Sequence, residues 1–211
     1  MIELTIEKLE KLDKNRKDAI INAALMEFAT KGYDEASTIV IARNAGISKG
    51  LMFYYVNSKK DFFLFLCDYC SKIVKTDYFD LINFNEKNLL ERLRQSYILQ
   101  LELLHRYPWI LEFTRITPDE KSDEIRKELD EILKGTEPIC YETMFGGIDA
   151  SRFREGMDIE RCKRLIFWAN VGFADQILKD IRNSEINEWD YERIMEELDG
   201  YLNELRKGFY K

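Results

Sequence analysis

The sequence predicts an all-α fold of about nine helices, and three observations lead to this prediction. Apolar residues recur three and four positions apart along almost the whole chain, which is the spacing of one helix face. The 211 residues include only three prolines and ten glycines, and both residue types interrupt helices. The run Thr38–Ile41 is β-branched like a strand, but the chain offers no second strand to pair with it.

The composition is that of a folded globular protein. Apolar residues make up 45% of the chain and charged residues 34%, which excludes wholesale disorder. The N-terminal segment is charged throughout and has no apolar core like that of a signal peptide. The chain also has no apolar run of about 18 residues, so we expect a cytoplasmic protein without a membrane partner.

The first long helix is predicted over residues 14–31, and Gly32 fits the left-handed conformation that follows many helices. The apolar stripe of this helix consists of Ile20, Ala23, Ala24 and Phe28. Apolar residues at helical spacing also predict an amphipathic arm in front of it. They are Ile2, Ile6 and Leu9.

Two short helices are predicted next, over residues 37–44 and 49–55. Ser37 or Thr38 can cap the first of them, Ser48 can cap the second, and Gly46 permits a tight turn between them. Two short helices joined by such a turn are typical of a helix-turn-helix, whose second helix enters the major groove of DNA.

The remainder of the chain is predicted to be a larger helical body. Ser58 and Asp61 resemble a capping box at the start of a helix over residues 59–81. Further helices are predicted over residues 86–106, 108–116, 120–134, 136–146, 157–183 and 187–208. We divide the chain into a DNA-binding domain over residues 1–58, with its motif at 37–56, and a body over residues 59–211.

The charge distribution agrees with a DNA-binding motif, although the net charge of −7 at first argues against one. Residues 36–60 contain four cations and no acidic residue. Binding to phosphates depends on the local field, so a confined basic patch is sufficient. Solvated basic faces of this size are common, however, and the patch alone is weak support. The cations are Arg43, Lys49, Lys59 and Lys60.

Residues 16–62 resemble the TetR family of transcriptional regulators. The matched positions are Arg16, Ile20, Ala23, Ala24, Phe28, Gly32, Tyr33, Thr38, Ile41, Ala42, Ala45, Gly46, Ile47, Ser48, Lys49, Gly50, Phe53, Tyr54, Tyr55, Lys59 and Phe62. The resemblance implies a three-helix DNA-binding domain followed by a C-terminal ligand-binding and dimerisation domain. It also implies a homodimeric repressor that binds a palindromic operator in double-stranded DNA and is released by a small apolar or aromatic effector.

The resemblance also assigns DNA-binding roles. The start of the second motif helix would face the bases, its aromatic turn would face phosphates, and a lysine opening the next helix would bind a phosphate. The residues at matching positions are Thr38, Ser48, Lys49, Gly50, Leu51, Phe53, Tyr54 and Lys59. Phe53 departs from the usual tyrosine, and Ile39 and Val40 stand where the family has polar residues. We expect the N-terminal arm to cover the apolar patch that Ile39 and Val40 would form.

The body is expected to contain a dimer interface and an effector pocket, as the resemblance implies. The expected interface residues are Ile166, Phe173, Ile177, Ile194, Leu198, Tyr201 and Leu205. The expected pocket residues are Tyr97, His105, Trp109, Phe113, Tyr141, Phe145, Phe167 and Trp168. The alternative for both sets is that these side chains only fill the core of the protomer.

The sequence gives little indication of metal binding, redox chemistry or catalysis. Cys67 and Cys70 form a Cys-x-x-Cys, but a zinc site needs a second pair and a thioredoxin-like site needs a βαβ setting. We expect no metal, no cofactor and no catalytic residue. The alternatives to a regulator are an all-helical small-molecule-binding protein or enzyme with a vestigial DNA-binding motif, or an adaptor of other proteins.

Overall fold

The computed structural model of the chain describes residues 7–134, 141–183 and 190–211. These residues form a helical turn at 7–10 and ten further α-helices. Within these ranges the only β-type pairing is an isolated antiparallel bridge between Phe153 and Tyr210. The predicted all-α fold is therefore confirmed.

The helices begin and end close to the predicted positions. They are α1 (Lys14–Glu35), α2 (Thr38–Asn44), α3 (Lys49–Val56), α4 (Lys59–Asp77), α5 (Leu89–Arg106), α6 (Ile110–Ile116), α7 (Arg126–Lys134), α8 (Tyr141–Phe145), α9 (Ile159–Asn183) and α10 (Tyr191–Phe209). Short 3-10 turns lie at Phe79–Leu81, Thr117–Asp119 and Ala150–Arg152.

Two predicted helices were too long. Helix α4 ends at Asp77 rather than at residue 81, because Tyr78 leaves the helical conformation with φ −132° and ψ −68°. Helix α7 begins at Arg126 rather than at residue 120. The Glu120 carboxylate accepts hydrogen bonds from the backbone N–H groups of Lys121 and Ser122 and holds the chain in a turn there. Parts of the helices predicted at 136–146 and 187–208 lie outside the described residues.

Gly32 interrupts α1, where the sequence predicted the helix to end. Its φ of 70° is positive as expected, but its ψ of −179° is extended rather than left-handed helical. Only glycine adopts this combination without strain. The chain then makes one more helical turn to Glu35 before α2 begins.

The described chain divides into two compact units, and the first contains residues 1–81 and 99–138. Its core is an aromatic cluster in which Phe28 of α1, Phe63 of α4 and Phe113 of α6 meet at ring-centroid distances of 5.0–6.4 Å. All three rings are fully buried. This cluster fixes the long helix α1, and thereby the start of α2, against α4 and α6.

The second unit contains residues 82–98 and 139–211. Its most unusual core residue is Arg92 of α5, which is only 1% exposed. The guanidinium donates hydrogen bonds to the backbone carbonyls of Phe84, Glu86, Met144 and Gly146. One side chain therefore holds the segment before α5 and the end of α8 against α5.

The two units do not coincide with the domains predicted from the sequence, because residues 99–138 join the N-terminal helices. The predicted boundary near residue 58 separates the expected DNA-binding residues from the expected effector-binding and dimerisation residues, and it stays a prediction. Across the described ranges, no helix has both the length and the apolar character needed to cross a membrane.

Candidate nucleic-acid interface

Helices α2 and α3 form the predicted pair of short helices joined by a tight turn. Gly46 has a φ of 67°, and the backbone N–H of Ile47 donates to the carbonyl of Ala42 at 3.0 Å. The side chain of Ser48 caps α3 by accepting a hydrogen bond from the backbone N–H of Leu51 at 3.2 Å. The predicted turn and the predicted cap of the second helix are both confirmed.

The start of α2 differs from the prediction in one detail. Ser37, not Thr38, is the residue before the first helical turn, and its side chain makes no capping hydrogen bond. Its backbone N–H instead donates to a carboxylate oxygen of Glu27, 2.9 Å away and buried in α1. Helix α1 therefore satisfies one of the backbone donors at the start of α2, and the β-branched run Thr38–Ile41 is helical as predicted.

Helix α3 has one buried and one open face. Met52, Tyr55 and Val56 are buried against the rest of the first unit. The open face carries three exposed residues, Lys49, Gly50 and Tyr54. Leu51 and Phe53 on the same face are partly exposed. The Lys49 ammonium lies 5.8 Å from the centre of the Phe53 ring.

No contact within the described part of the protein explains why residue 50 is a glycine. A Cβ atom built on Gly50 would meet nothing within 4 Å. Glycine in a helix costs about 1 kcal/mol relative to alanine, so the chain accepts this cost without a packing benefit. A close approach of another molecule to the backbone of α3 would provide the reason.

The basic patch that the sequence placed at residues 36–60 is smaller in the structure. The Lys60 ammonium lies 2.8 Å from a carboxylate oxygen of Glu128, which neutralises its charge. Lys59 donates to the backbone carbonyls of Asp34 and Ala36, and its ammonium lies 4.6 Å above the Tyr33 ring. Lys59 thus satisfies the carbonyls at the end of α1, and phosphate binding by Lys59 stays a prediction.

The expected capping box at the start of α4 is half formed. The Ser58 side chain accepts a hydrogen bond from the backbone N–H of Asp61 at 3.0 Å. The shorter carboxylate of Asp61 does not return to Ser58 but accepts from the side chain of Asn57 at 2.8 Å.

The described part of the N-terminal arm does not cover the apolar patch on α2. Leu9 is buried, with 1% exposure, but Ile39 remains 59% exposed. Ile2 and Ile6 lie outside the described residues. The arm does reach α3, because the Lys8 ammonium lies 3.9 Å above the centre of the exposed Tyr54 ring. The sequence analysis missed this contact, since no periodic pattern links positions 8 and 54.

The expected effector residues are distributed over both units. Phe113 belongs to the aromatic core of the first unit, where His105 is exposed and Trp109 is partly exposed. Within the second unit, the rings of Tyr141 and Phe145 are stacked at 4.8 Å. The Phe167 ring meets both of these edge-on, whereas Trp168 points to solvent with 62% exposure.

A second aromatic group in the same unit was only partly anticipated. Tyr97 donates a hydrogen bond to the backbone carbonyl of Asn170 at 2.9 Å and packs edge-on against Phe173. Phe173 is stacked on Tyr201 at 4.2 Å. The buried Oδ1 of Asn170 and the buried hydroxyl of Tyr201 have no hydrogen-bond partner among the described residues. We call these four residues the Tyr201 cluster.

Several of the expected interface residues are buried inside the protomer. Ile166, Ile177 and Leu198 are at most 5% exposed, and Phe173 is stacked within the Tyr201 cluster. These side chains fill the core of the protomer, and their part in a dimer interface stays a prediction. A second stripe on α9 is the exposed one. It consists of Leu165, Trp168 and Val171, which are 43–62% exposed, and the exposed Gly172.

The Cys-x-x-Cys in α4 is fully enclosed. Cys67 and Cys70 are both buried and reduced. Burial raises the pKa of both thiols, so neither forms the thiolate that nucleophilic and redox chemistry requires.

Comparison with known proteins agrees with this geometry. The sequence model of the bacterial regulatory proteins of the tetR family matches residues 20–65, which span the open face of α3. The chain is similar to the fatty acid metabolism regulator protein of Bacillus subtilis (strain 168), with 25% identity over 154 residues, 70% of this chain and 76% of the relative.

Solved structures with similar folds match most of the chain. One is a TetR family transcriptional regulator from Chloroflexus aurantiacus J-10-FL, with a TM-score of 0.57 and 16% identity, covering 97% of this chain and 98% of the other. Another is the ketosteroid transcriptional regulator KstR2 of Mycobacterium tuberculosis, with a TM-score of 0.56 and 20% identity over 95% and 97% of the two chains. At these identities the likeness concerns the fold alone.

Proposed function

Since the chain is a TetR family transcriptional regulator, we propose that it represses transcription by binding a palindromic operator as a homodimer. Helix α3 is the reader of the major groove, and Lys49, Gly50, Leu51 and Tyr54 form its DNA-facing surface. The observation that carries this proposal is the open face of α3, where a cation and an exposed aromatic ring flank a glycine with no internal packing role. Because it acts on DNA, we place the protein in the cytoplasm of a bacterial cell.

Helix α9 supplies the proposed dimer interface. A helix that is apolar on two faces must cover both of them, and the protomer covers only the face of Ile166 and Ile177. The exposed stripe around Trp168 is the face left for a second copy. Gly172 supports this assignment, because a Cβ built there would meet nothing within 4 Å and its absence allows a partner helix to come close.

Replacing Trp168 by glutamate is expected to convert the dimer into a monomer, because a buried charge without a partner strongly disfavours an apolar interface. Helical content should stay unchanged, since the side chain is exposed in the protomer. Sedimentation velocity measures the oligomeric state, with Lys121→Glu as a control at another exposed site. A Trp168→Glu protein that remains fully dimeric at micromolar concentration would remove this face from the interface.

The proposed effector binds within the second unit, at the Tyr201 cluster. The aromatic rings suit an apolar molecule, and the unpartnered Asn170 Oδ1 and Tyr201 hydroxyl suit a polar group at one end of it. Burial raises the pKa of Tyr201 to about 12, so its hydroxyl stays a hydrogen-bond donor at neutral pH. The name of the Bacillus subtilis relative, a fatty acid metabolism regulator, favours a molecule with a fatty acyl chain as the effector.

Selection from a pool of random DNA duplexes at low salt tests the function directly. We expect enrichment of a palindrome whose half-sites are roughly 34–36 Å apart, one helical turn of DNA. Fatty acids and their thioesters are then titrated against the bound duplex, and release is the expected response. If no sequence were enriched, the small-molecule-binding alternative with a vestigial motif would be favoured.

A further inference from the structure

The segment preceding α1 is held by two neighbouring residues, and one of them reaches the reader helix. Leu9 is buried, which anchors the helical turn at residues 7–10 to the first unit. One residue earlier, the exposed Lys8 places its ammonium 3.9 Å above the Tyr54 ring. Tyr54 is itself 57% exposed on α3, so the cation lies at the edge of the proposed DNA-facing surface.

The Lys8 charge is available to an external anion. No carboxylate of the described residues pairs with Lys8, whereas Glu7 in the same turn is paired with Lys11 at 3.1 Å. An aromatic face attracts a cation but does not neutralise it, and it leaves the ammonium hydrogens on the outer side free to donate. A cation held in this way has lost part of its conformational freedom before it meets a phosphate.

Within residues 36–60, few cations remain unpaired. Of the four basic residues that the sequence places at 36–60, Lys60 is paired with Glu128 and Lys59 is bonded to backbone carbonyls. Arg43 and Lys49 remain, in a protein whose net charge is −7. Affinity for DNA depends on the number of phosphates neutralised, so one more positioned lysine has a measurable effect.

We infer that Lys8 is a DNA-binding residue that contacts a backbone phosphate of the operator, held in place by the Tyr54 ring. This inference rests on the proposed function, since it takes α3 as the reader. It extends the DNA-binding surface to the N-terminal arm, outside residues 20–65 that match the family model. Because phosphates carry no sequence information, Lys8 contributes to affinity and not to the choice of operator.

The salt dependence of binding tests the inference. The slope of log Kobs against log salt concentration should become less steep by about 0.9 in Lys8→Ala, which corresponds to one phosphate contact. Affinity for the operator and for a scrambled duplex should fall by the same factor. Lys8→Arg keeps the charge and should keep the wild-type slope. In a Tyr54→Leu background, the effect of Lys8→Ala should be smaller, because the ring no longer positions the lysine.

Lys11→Ala is the matched control, because it removes one charge from the same turn at a position already paired with Glu7. An equal change of slope in Lys8→Ala and Lys11→Ala would indicate a general effect of net charge and would overturn the inference. An unchanged slope in Lys8→Ala would overturn it as well, while binding by the wild-type protein would leave the proposed function intact. Failure of the wild-type protein to bind any duplex would instead overturn the proposed function, and this inference with it.

Discussion

Replacing Arg92 by alanine is expected to lower the free energy of unfolding by about 3 kcal/mol or more, since each buried polar group left without a partner costs about 1–3 kcal/mol. The guanidinium is buried and holds the carbonyls of Phe84, Glu86, Met144 and Gly146. No other side chain provides five donors in a planar fork, so the loss cannot be made up locally.

Three further variants separate the hydrogen bonds of Arg92 from its volume. Arg92→Met retains the length of the side chain and should remain strongly destabilised, because it donates no hydrogen bond. Arg92→Lys retains the charge and three donors and should lie between methionine and the wild type. Arg94→Ala is the neighbouring control, because its ion pair with Asp199 is partly exposed and such pairs contribute about 0–1 kcal/mol.

Urea unfolding followed by circular dichroism measures these differences. An Arg92→Met protein as stable as the wild type would mean that two free energies cancel. These are the cost of burying the guanidinium charge and the stabilisation by its hydrogen bonds. That outcome is known for some buried ion pairs, in which apolar replacements are neutral or stabilising. Arg92 differs from such pairs because its partners are backbone carbonyls, which stay in place and unsatisfied when the arginine is removed.

The sequence was sufficient to predict the DNA-binding motif because the motif is local. Ser48 and the backbone N–H that it caps are three residues apart, and Gly46 adopts its positive φ within the turn itself. The apolar stripe of α1, including Phe28, follows from helical periodicity alone. The single local conflict was the β-branched run Thr38–Ile41, which is helical and whose preceding backbone N–H, that of Ser37, is bonded to Glu27 of α1.

The features that sequence analysis missed depend on residues far apart in the chain. Arg92 meets Met144 and Gly146, more than 50 positions away, and the pattern of a single helix contains no trace of this contact. Periodicity also found the apolar stripe of α9 that contains Ile166 and Ile177, but it did not indicate that the protomer itself covers this stripe, and it missed the second stripe. The stripe containing Ile166 is the buried one, and the stripe containing Trp168 is the exposed one.

Replacing Lys49 by alanine is expected to weaken binding to the selected operator by about 1–3 kcal/mol, or about 5- to 150-fold in Kd, if its ammonium binds a base edge. Lys49 stands at the first turn of α3 on the open face, and its charge is not paired with a carboxylate of the described residues. Fluorescence anisotropy with a labelled duplex measures the affinity. Lys207→Ala, at an exposed pair with Glu204 in α10, should bind like the wild type.

The pattern of the loss distinguishes the two contacts that Lys49 can make. A contact to a guanine edge predicts reduced affinity for the operator but not for a scrambled duplex, so that the ratio of the two affinities falls. A phosphate contact predicts an equal loss for both duplexes and a less steep salt dependence, as expected for Lys8. Equal affinity of Lys49→Ala and Lys207→Ala for the operator would contradict both, and α3 would then no longer be the reader. The two lysines thus make separable predictions, because the proposed base contact of Lys49 would change the choice of sequence, whereas the proposed phosphate contact of Lys8 would not.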